Sequence, residues 1–154
     1  MAAEIRLGRT SLRLDASGAL WWERHRMLVV ADLHLEKGAA FARRGAMLPP
    51  YDTRTTLSRL EALVGRHRPK IVVSLGDGFH DRRGAEALDG QAASRIRALT
   101  GAARWLWVAG NHDPAPPEGL GGEAAAMVEF DGIGFGHVPG VLADPNDRST
   151  LIRS

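Results

Sequence analysis

The stretch Met27-Leu28-Val29-Val30-Ala31-Asp32-Leu33-His34 decides how the chain is read. Five apolar residues, two of them β-branched, run straight into an acid, and a histidine follows two positions later. A short continuous apolar run of this kind predicts a buried strand. If the chain stays extended past the strand end, residues two apart point the same way. Asp32 and His34 then project together from the carboxyl end of a central strand, where open α/β sheets place their ligands. A carboxylate and an imidazole aimed at one point make half of a metal site.

The pattern recurs further along. Ile71-Val72-Val73-Ser74-Leu75 is a second apolar strand, and it ends in Gly76-Asp77. Trp105-Leu106-Trp107-Val108-Ala109 is a third, and it runs into Gly110-Asn111-His112-Asp113. Two short strands follow, Met127 to Phe130 and Ile133 to Gly136, around a turn at Asp131-Gly132, and the second ends at His137. A single strand-end Asp often does no more than cap the next helix. Three strands that each hand over polar groups, two of them through a glycine, are a pattern of another kind. Glycine there lets the chain turn sharply and approach a ligand closely.

The rest of the chain frames these strands. Ile5, Leu7, Leu12 and Leu14 alternate with polar residues and lead through the Asp15-Ala16-Ser17-Gly18 turn to Trp21-Trp22, which predicts a meander feeding the central strand. His25, between Arg24 and Arg26, reads as a solvated turn residue. A long irregular segment covers 35–50. Asp52 then makes a good N-cap for a helix carrying Leu57, Leu60 and Val64, closed by Pro69. His67 falls at that helix's end, where a cation suits the dipole. A second helix is expected from about Ala85 to Leu99, weakened by Gly90. Trp21, Trp105 and Trp107 read as core side chains rather than stacking platforms.

Composition narrows the class. With 154 residues, 44% hydrophobic and 25% charged, the chain is expected to form a single domain over 1–154 with a substantial core. It has no cysteine, which excludes disulfides, zinc ribbons and a thiol nucleophile. No apolar run approaches the roughly 20 residues needed to span a bilayer, and the first fifteen residues lack a signal-peptide core. No membrane association and a cytoplasmic location are therefore expected. Formal net charge is +2, and Lys37 and Lys70 are the only lysines, so the basic side is almost all arginine. Arginine suits bidentate phosphate contacts, but so small a charge permits a phosphate-bearing substrate without requiring nucleic acid.

Oxygen ligands mixed with imidazole suit manganese, iron or zinc better than calcium or copper(I). A carboxylate can bridge two metals about 3.5–4 Å apart, an arrangement used in hydrolysing phosphate esters. Asn supplies a neutral oxygen and keeps such a site electrophilic. A histidine outside the metals, oriented by a carboxylate, can stabilise the transition state or protonate the leaving oxygen.

Asp32-x-His34, Gly76-Asp77, Gly110-Asn111-His112-Asp113 and the later His137 resemble the first four motifs of the calcineurin-like metallophosphoesterase superfamily. Ala31-Asp32-Leu33-His34-Leu35-Glu36-Lys37-Gly38, Phe41-Ala42-Arg43-Arg44-Gly45 and Leu48-Pro49-Pro50-Tyr51-Asp52-Thr53-Arg54 narrow the resemblance to its bacterial DNA-ligase-associated branch, implicated in DNA repair. The resemblance implies an α/β fold with a two-sheet core flanked by helices. It implies two divalent metal ions, manganese first, with iron or zinc as alternatives. Asp32 and His34 would hold one ion, Asp77 would bridge, and Asn111 and His137 would hold the other. His112 would face the substrate, with Asp113 orienting it. Arg43 and Arg44 are candidates for phosphate or DNA contacts, with a solvated loop as the plainer reading. His80 is a substitute ligand, a substrate contact or a polar loop residue.

Two departures qualify the resemblance. The superfamily closes its metal site with a Gly-His-x-His motif, and no histidine follows His137 here. The chain also reads as C-terminally shortened, with the second sheet expected to be incomplete after about residue 138. The expected function is metal-dependent hydrolysis of phosphodiester or phosphomonoester bonds in DNA or nucleotides, of the nuclease or phosphodiesterase type. A catalytically impaired relative that binds phosphate, DNA or a repair partner is the alternative. Implied partners are a DNA ligase or helicase of repair type, and a homodimer in which a second subunit completes the sheet and the site.

Overall fold

A computed structural model describes residues 3–31, 33, 51–76, 89–109, 119–137 and 151–153. Seven strands form one sheet in sequence order: β1 (Ala3–Leu7), β2 (Thr10–Leu14), β3 (Leu20–Trp22), β4 (Met27–Ala31), β5 (Ile71–Leu75), β6 (Arg104–Val108) and β7 (Glu123–Ala125). The first four pair antiparallel, as the alternating N-terminal pattern predicts, and β4 to β7 pair parallel. Parallel neighbours need crossover connections. α1 (Tyr51–His67) lies in the link from β4 to β5, and α2 (Gly90–Ala102) in the link from β5 to β6.

A second sheet has the order β10-β8-β9, formed by β8 (Met127–Phe130), β9 (Ile133–Phe135) and β10 (Leu151–Arg153). β8 and β9 are a hairpin closed at Asp131 (φ 49) and Gly132 (φ 76). Positive φ at both central residues is what a tight two-residue hairpin turn requires, and Asp and Gly tolerate it best. β10 lies parallel to β8.

Period-two alternation in the central strands divides the core into two layers. Leu28 and Val30 of β4, Val72 of β5, and Trp105 and Trp107 of β6 pack with Leu57, Leu60 and Leu63 of α1 and with Ala92, Ile96 and Leu99 of α2. The intervening residues, Met27, Val29, Val73, Leu106 and Val108, pack with Val128, Phe130 and Phe135 of the second sheet. The central strands are buried on both faces, which is why they read as unbroken apolar runs. The three tryptophans expected in the core are there: Trp21, Trp105 and Trp107 are each at most 5% exposed.

Three local readings change. α1 begins at Tyr51, so Asp52 lies inside its first turn rather than capping it. α2 does not run through Gly90 but starts there. Asp89 is extended (φ −70, ψ 161), and its side chain accepts a hydrogen bond from the Ala92 amide at 2.6 Å. At a helix's first position glycine costs little, because its backbone is only beginning to be fixed. His25 is not a solvated turn residue. Its Nε2 lies 2.8 Å from Asp131 Oδ2, and its ring packs edge-on against Trp22 and Phe130, tying the turn before β4 to the second sheet's hairpin. β7 and β10 are three residues each, too short to have been signalled by periodicity.

Candidate active site

The parallel strands end level with one another. Ala31 pairs with Leu75, Leu75 with Val108, and Val108 with Ala125. Beyond the last paired residues, the Gly76 amide donates to the Val108 carbonyl at 2.8 Å, and the Ala109 amide to the Ala125 carbonyl at 2.9 Å. The chain positions immediately after this edge are 32, 77 and 110–113, where the sequence concentrates its carboxylates, amide and imidazole. Short apolar strands of equal length, aligned by their ladder, bring their carboxyl ends to one rim.

His137 reaches the same rim from the other sheet. It follows β9 by two residues and is half-buried. Its ring lies against Gly76, in the space a β-carbon at Gly76 would fill: that carbon would lie 2.1 Å from Nδ1 and 2.2 Å from Cγ. Gly76 itself has φ 53, a left-handed conformation that glycine adopts without steric penalty. The glycine before Asp77 was expected to permit a sharp turn and a close approach. That approach was expected to be to a ligand; what lies against Gly76 is the imidazole of His137.

Of the residues the sequence singled out, His137 lies among those described. Asp32, His34, Arg43, Arg44, Asp77, His80, Asn111, His112 and Asp113 lie outside the described residues. Among the described residues no three of His, Cys, Asp and Glu gather to hold a metal ion. The candidate donor among the described residues, the His137 imidazole, sits in a glycine-made cradle beside the strand ends, and the carboxylates, amide and imidazoles that the sequence sets next after those strands are donor types that divalent metals take.

A cavity of about 300 Å³ opens beside the same end of β4. Its apolar wall is Ala19, Val30, Leu33, Leu60 and Leu63, and its polar lining is Ser17, Thr56 and Arg59. No sequence motif marked it, because its lining comes from a turn, a strand and a helix at unrelated spacings. The turn that forms one side is fastened by Asp15. The Ser17 amide donates to Asp15 Oδ1 at 2.9 Å, and Arg66 and His67 at the end of α1 face Oδ2 at 3.1 and 3.4 Å. Those hydrogen bonds, first from the Ser17 amide and hydroxyl and then from His67, together with the Arg66 charge, hold the Asp15 carboxyl down at about 2. His67, read from sequence as a helix-dipole cation, also stacks on Trp21 at 4.8 Å.

Comparison with known proteins gives this arrangement its family. The model of the calcineurin-like phosphoesterase family matches residues 25–148, and the chain belongs to that family. Its members generally use two divalent metal ions. The chain is 30% identical over 139 residues to the 3′,5′-cyclic adenosine monophosphate phosphodiesterase CpdA of Pseudomonas aeruginosa, an alignment covering 82% of this chain and 48% of that protein. The chain thus spans about half the length of this curated relative. The fold is similar to the crystal structure of the Pseudomonas putida nuclease MPE, with a TM-score of 0.66 and 24% identity, over 99% of this chain and 72% of that one. The α/β two-sheet architecture is therefore that of a metallophosphoesterase. Among the described residues no helix is long and apolar enough to cross a membrane.

Proposed function

We propose that this chain is a metal-dependent phosphoesterase acting on phosphodiester or phosphomonoester bonds of DNA or nucleotides. One observation carries the reading: β4, β5 and β6 end level at the rim where the sequence sets its metal-ligand motifs, and His137 crosses from the second sheet to that rim against Gly76. Family membership supports the chemistry, and relatives named as a phosphodiesterase and a nuclease support the substrate class. The finer assignment to a DNA-ligase-associated, repair-type enzyme rests on the motifs around Asp32, Arg43-Arg44 and Pro49-Pro50.

In this proposal Asp32 and His34 would hold one divalent ion, Asn111 and His137 would hold the second, and Asp77 would serve both. Manganese suits this mixture of oxygen and imidazole donors. Bound there, the ions supply charge neutralisation of the phosphate and acidification of water. The chain's own groups do the rest. His112, oriented by Asp113, stabilises charge on the phosphate or protonates the leaving oxygen. Arg43, Arg44 and His80 are assigned contacts to the ester. The cavity beside β4 receives the nucleoside side of the substrate: apolar walls for a base, and Arg59, Thr56 and Ser17 for its polar edge.

The test is a substrate panel with and without added Mn²⁺: a cyclic nucleotide, single- and double-stranded DNA, and an aryl phosphodiester. Chelator-sensitive hydrolysis of at least one of them is expected. Salt-dependent DNA binding unaffected by chelator, with no hydrolysis of any member, would instead mark a binding relative.

A further inference from the structure

We propose that β1 is a self-complementary edge through which two copies of this chain pair, antiparallel and centred on Ile5. β1 ends the seven-stranded sheet, with β2 as its one neighbour among the described residues. All five of its residues are exposed. Ile5 and Leu7, 37% and 48% exposed, are the exposed large hydrophobics among the described residues. Ile5 pairs with Leu12, which is buried between the two sheets, so Ile5 and Leu7 prolong an apolar sheet face beyond the second sheet that covers it. A flat edge of this kind is a template for another strand.

The hydrogen-bonding register selects the occupant. Leu7 and Thr10 flank a two-residue turn, with Gly8 at φ 61, and so form the hydrogen-bonded pair nearest it. Ala3, Ile5 and Leu7 therefore turn their amides and carbonyls towards β2, while Glu4 and Arg6 turn theirs outward. A second copy laid antiparallel about Ile5 sets Glu4 against the second copy's Arg6, and Arg6 against its Glu4. Each is a pair in which both residues have outward amide and carbonyl groups. Ile5 then faces Ile5, and Leu7 faces Ala3, on the apolar face.

The neighbouring registers are disfavoured by charge. Centring on residue 4 opposes two glutamates, and centring on residue 6 opposes two arginines. A parallel arrangement in register does both. Like charges directly opposite are destabilising, and unlike charges are favourable. Within one chain Glu4 approaches Arg6 to 3.8 Å and accepts a hydrogen bond from the Ser11 hydroxyl, and the Glu4 and Arg6 side chains stay 55% and 79% exposed at the edge. A five-residue ladder buries too little surface for an obligate dimer, so the pairing is a concentration-dependent equilibrium.

Sedimentation equilibrium of the whole chain tests this, with and without Glu4→Arg or Arg6→Glu. The wild type is expected to dimerise reversibly as its concentration is raised through the micromolar range to the limit of solubility. Each single reversal is expected to weaken the dimer by about tenfold or more. An equimolar mixture of the two variants is expected to regain it, because one edge then carries two arginines and the other two glutamates. That recovery also shows that both variants fold. A wild type monomeric throughout, a dimer indifferent to both reversals, or a mixture no tighter than its components would each overturn the proposal.

Discussion

The imidazole of His137 occupies the place that a β-carbon on Gly76 would take, although the two lie 61 positions apart in the chain. The contact joins the end of β5 to the exit of β9, and thus the large sheet to the small one at the carboxyl ends of the parallel strands. Gly76→Ala adds a methyl group that meets the ring at 2.1 Å, on a backbone with φ 53. It is expected to destabilise the fold by about 1–3 kcal/mol, read by urea denaturation. Weaker metal uptake should accompany it. A variant as stable as wild type, with unchanged metal affinity, would remove the contact from the account.

Asp15 makes the turn beside the cavity sensitive to acid. Its carboxyl is lowered from 3.8 to about 2, chiefly by the Ser17 amide and hydroxyl, then by His67 and Arg66. A depressed folded value means that the stabilisation is present above the unfolded value and is lost as pH falls through the folded one. Wild type should therefore lose about 1–2 kcal/mol relative to Asp15→Asn between roughly pH 5 and pH 2. Urea midpoints of the two proteins across that range check it. Parallel curves would show that Asp15 is not held in this way.

His25 and Asp131 tie the two sheets together at 2.8 Å, with Arg24 also 3.3 Å from the same carboxylate oxygen. His25→Ala also removes the ring between Trp22 and Phe130 and should cost about 1–3 kcal/mol. Asp131→Asn keeps a side chain that tolerates positive φ, so its smaller loss reports the charge rather than the turn. A double-mutant cycle should give a coupling of about 0.5–1.5 kcal/mol. Strict additivity would mean that the pair contributes nothing.

Arg59 is the cationic lining of the cavity beside β4. Arg59→Ala should raise KM for a nucleotide substrate about tenfold while leaving kcat and the hydrolysis of a small aryl diester unchanged. An equal loss on both substrates would place Arg59 in the chemistry or the fold rather than in nucleoside binding.

Much of this architecture was legible in the sequence, for a definite reason. Strands β4, β5 and β6 are buried on both faces, so each is an apolar run whose polar exit stands out. The N-terminal meander and the Asp131-Gly132 hairpin announced themselves by alternation and turn residues. His25 was misread because its partners, Asp131 and Phe130, lie more than a hundred positions away, and a turn between two arginines looks solvated. Gly90 was read as a weak point inside a helix, when the Asp89 cap makes it the helix's beginning. The contact between Gly76 and His137 was half legible: the glycine signalled a close approach, and only the packing of the two sheets identifies what approaches.

In the proposed site Asp77 and His137 serve one metal centre beyond the ends of β4, β5 and β6. Titration of the metal-free protein with Mn²⁺, followed by calorimetry for wild type, Asp77→Asn and His137→Ala, tests it most directly. Two ions per wild-type chain are expected, the second lost or weakened at least about tenfold by His137→Ala, and both weakened by Asp77→Asn. Wild-type protein that takes up no manganese, iron or zinc, or uptake that neither substitution changes, would contradict it.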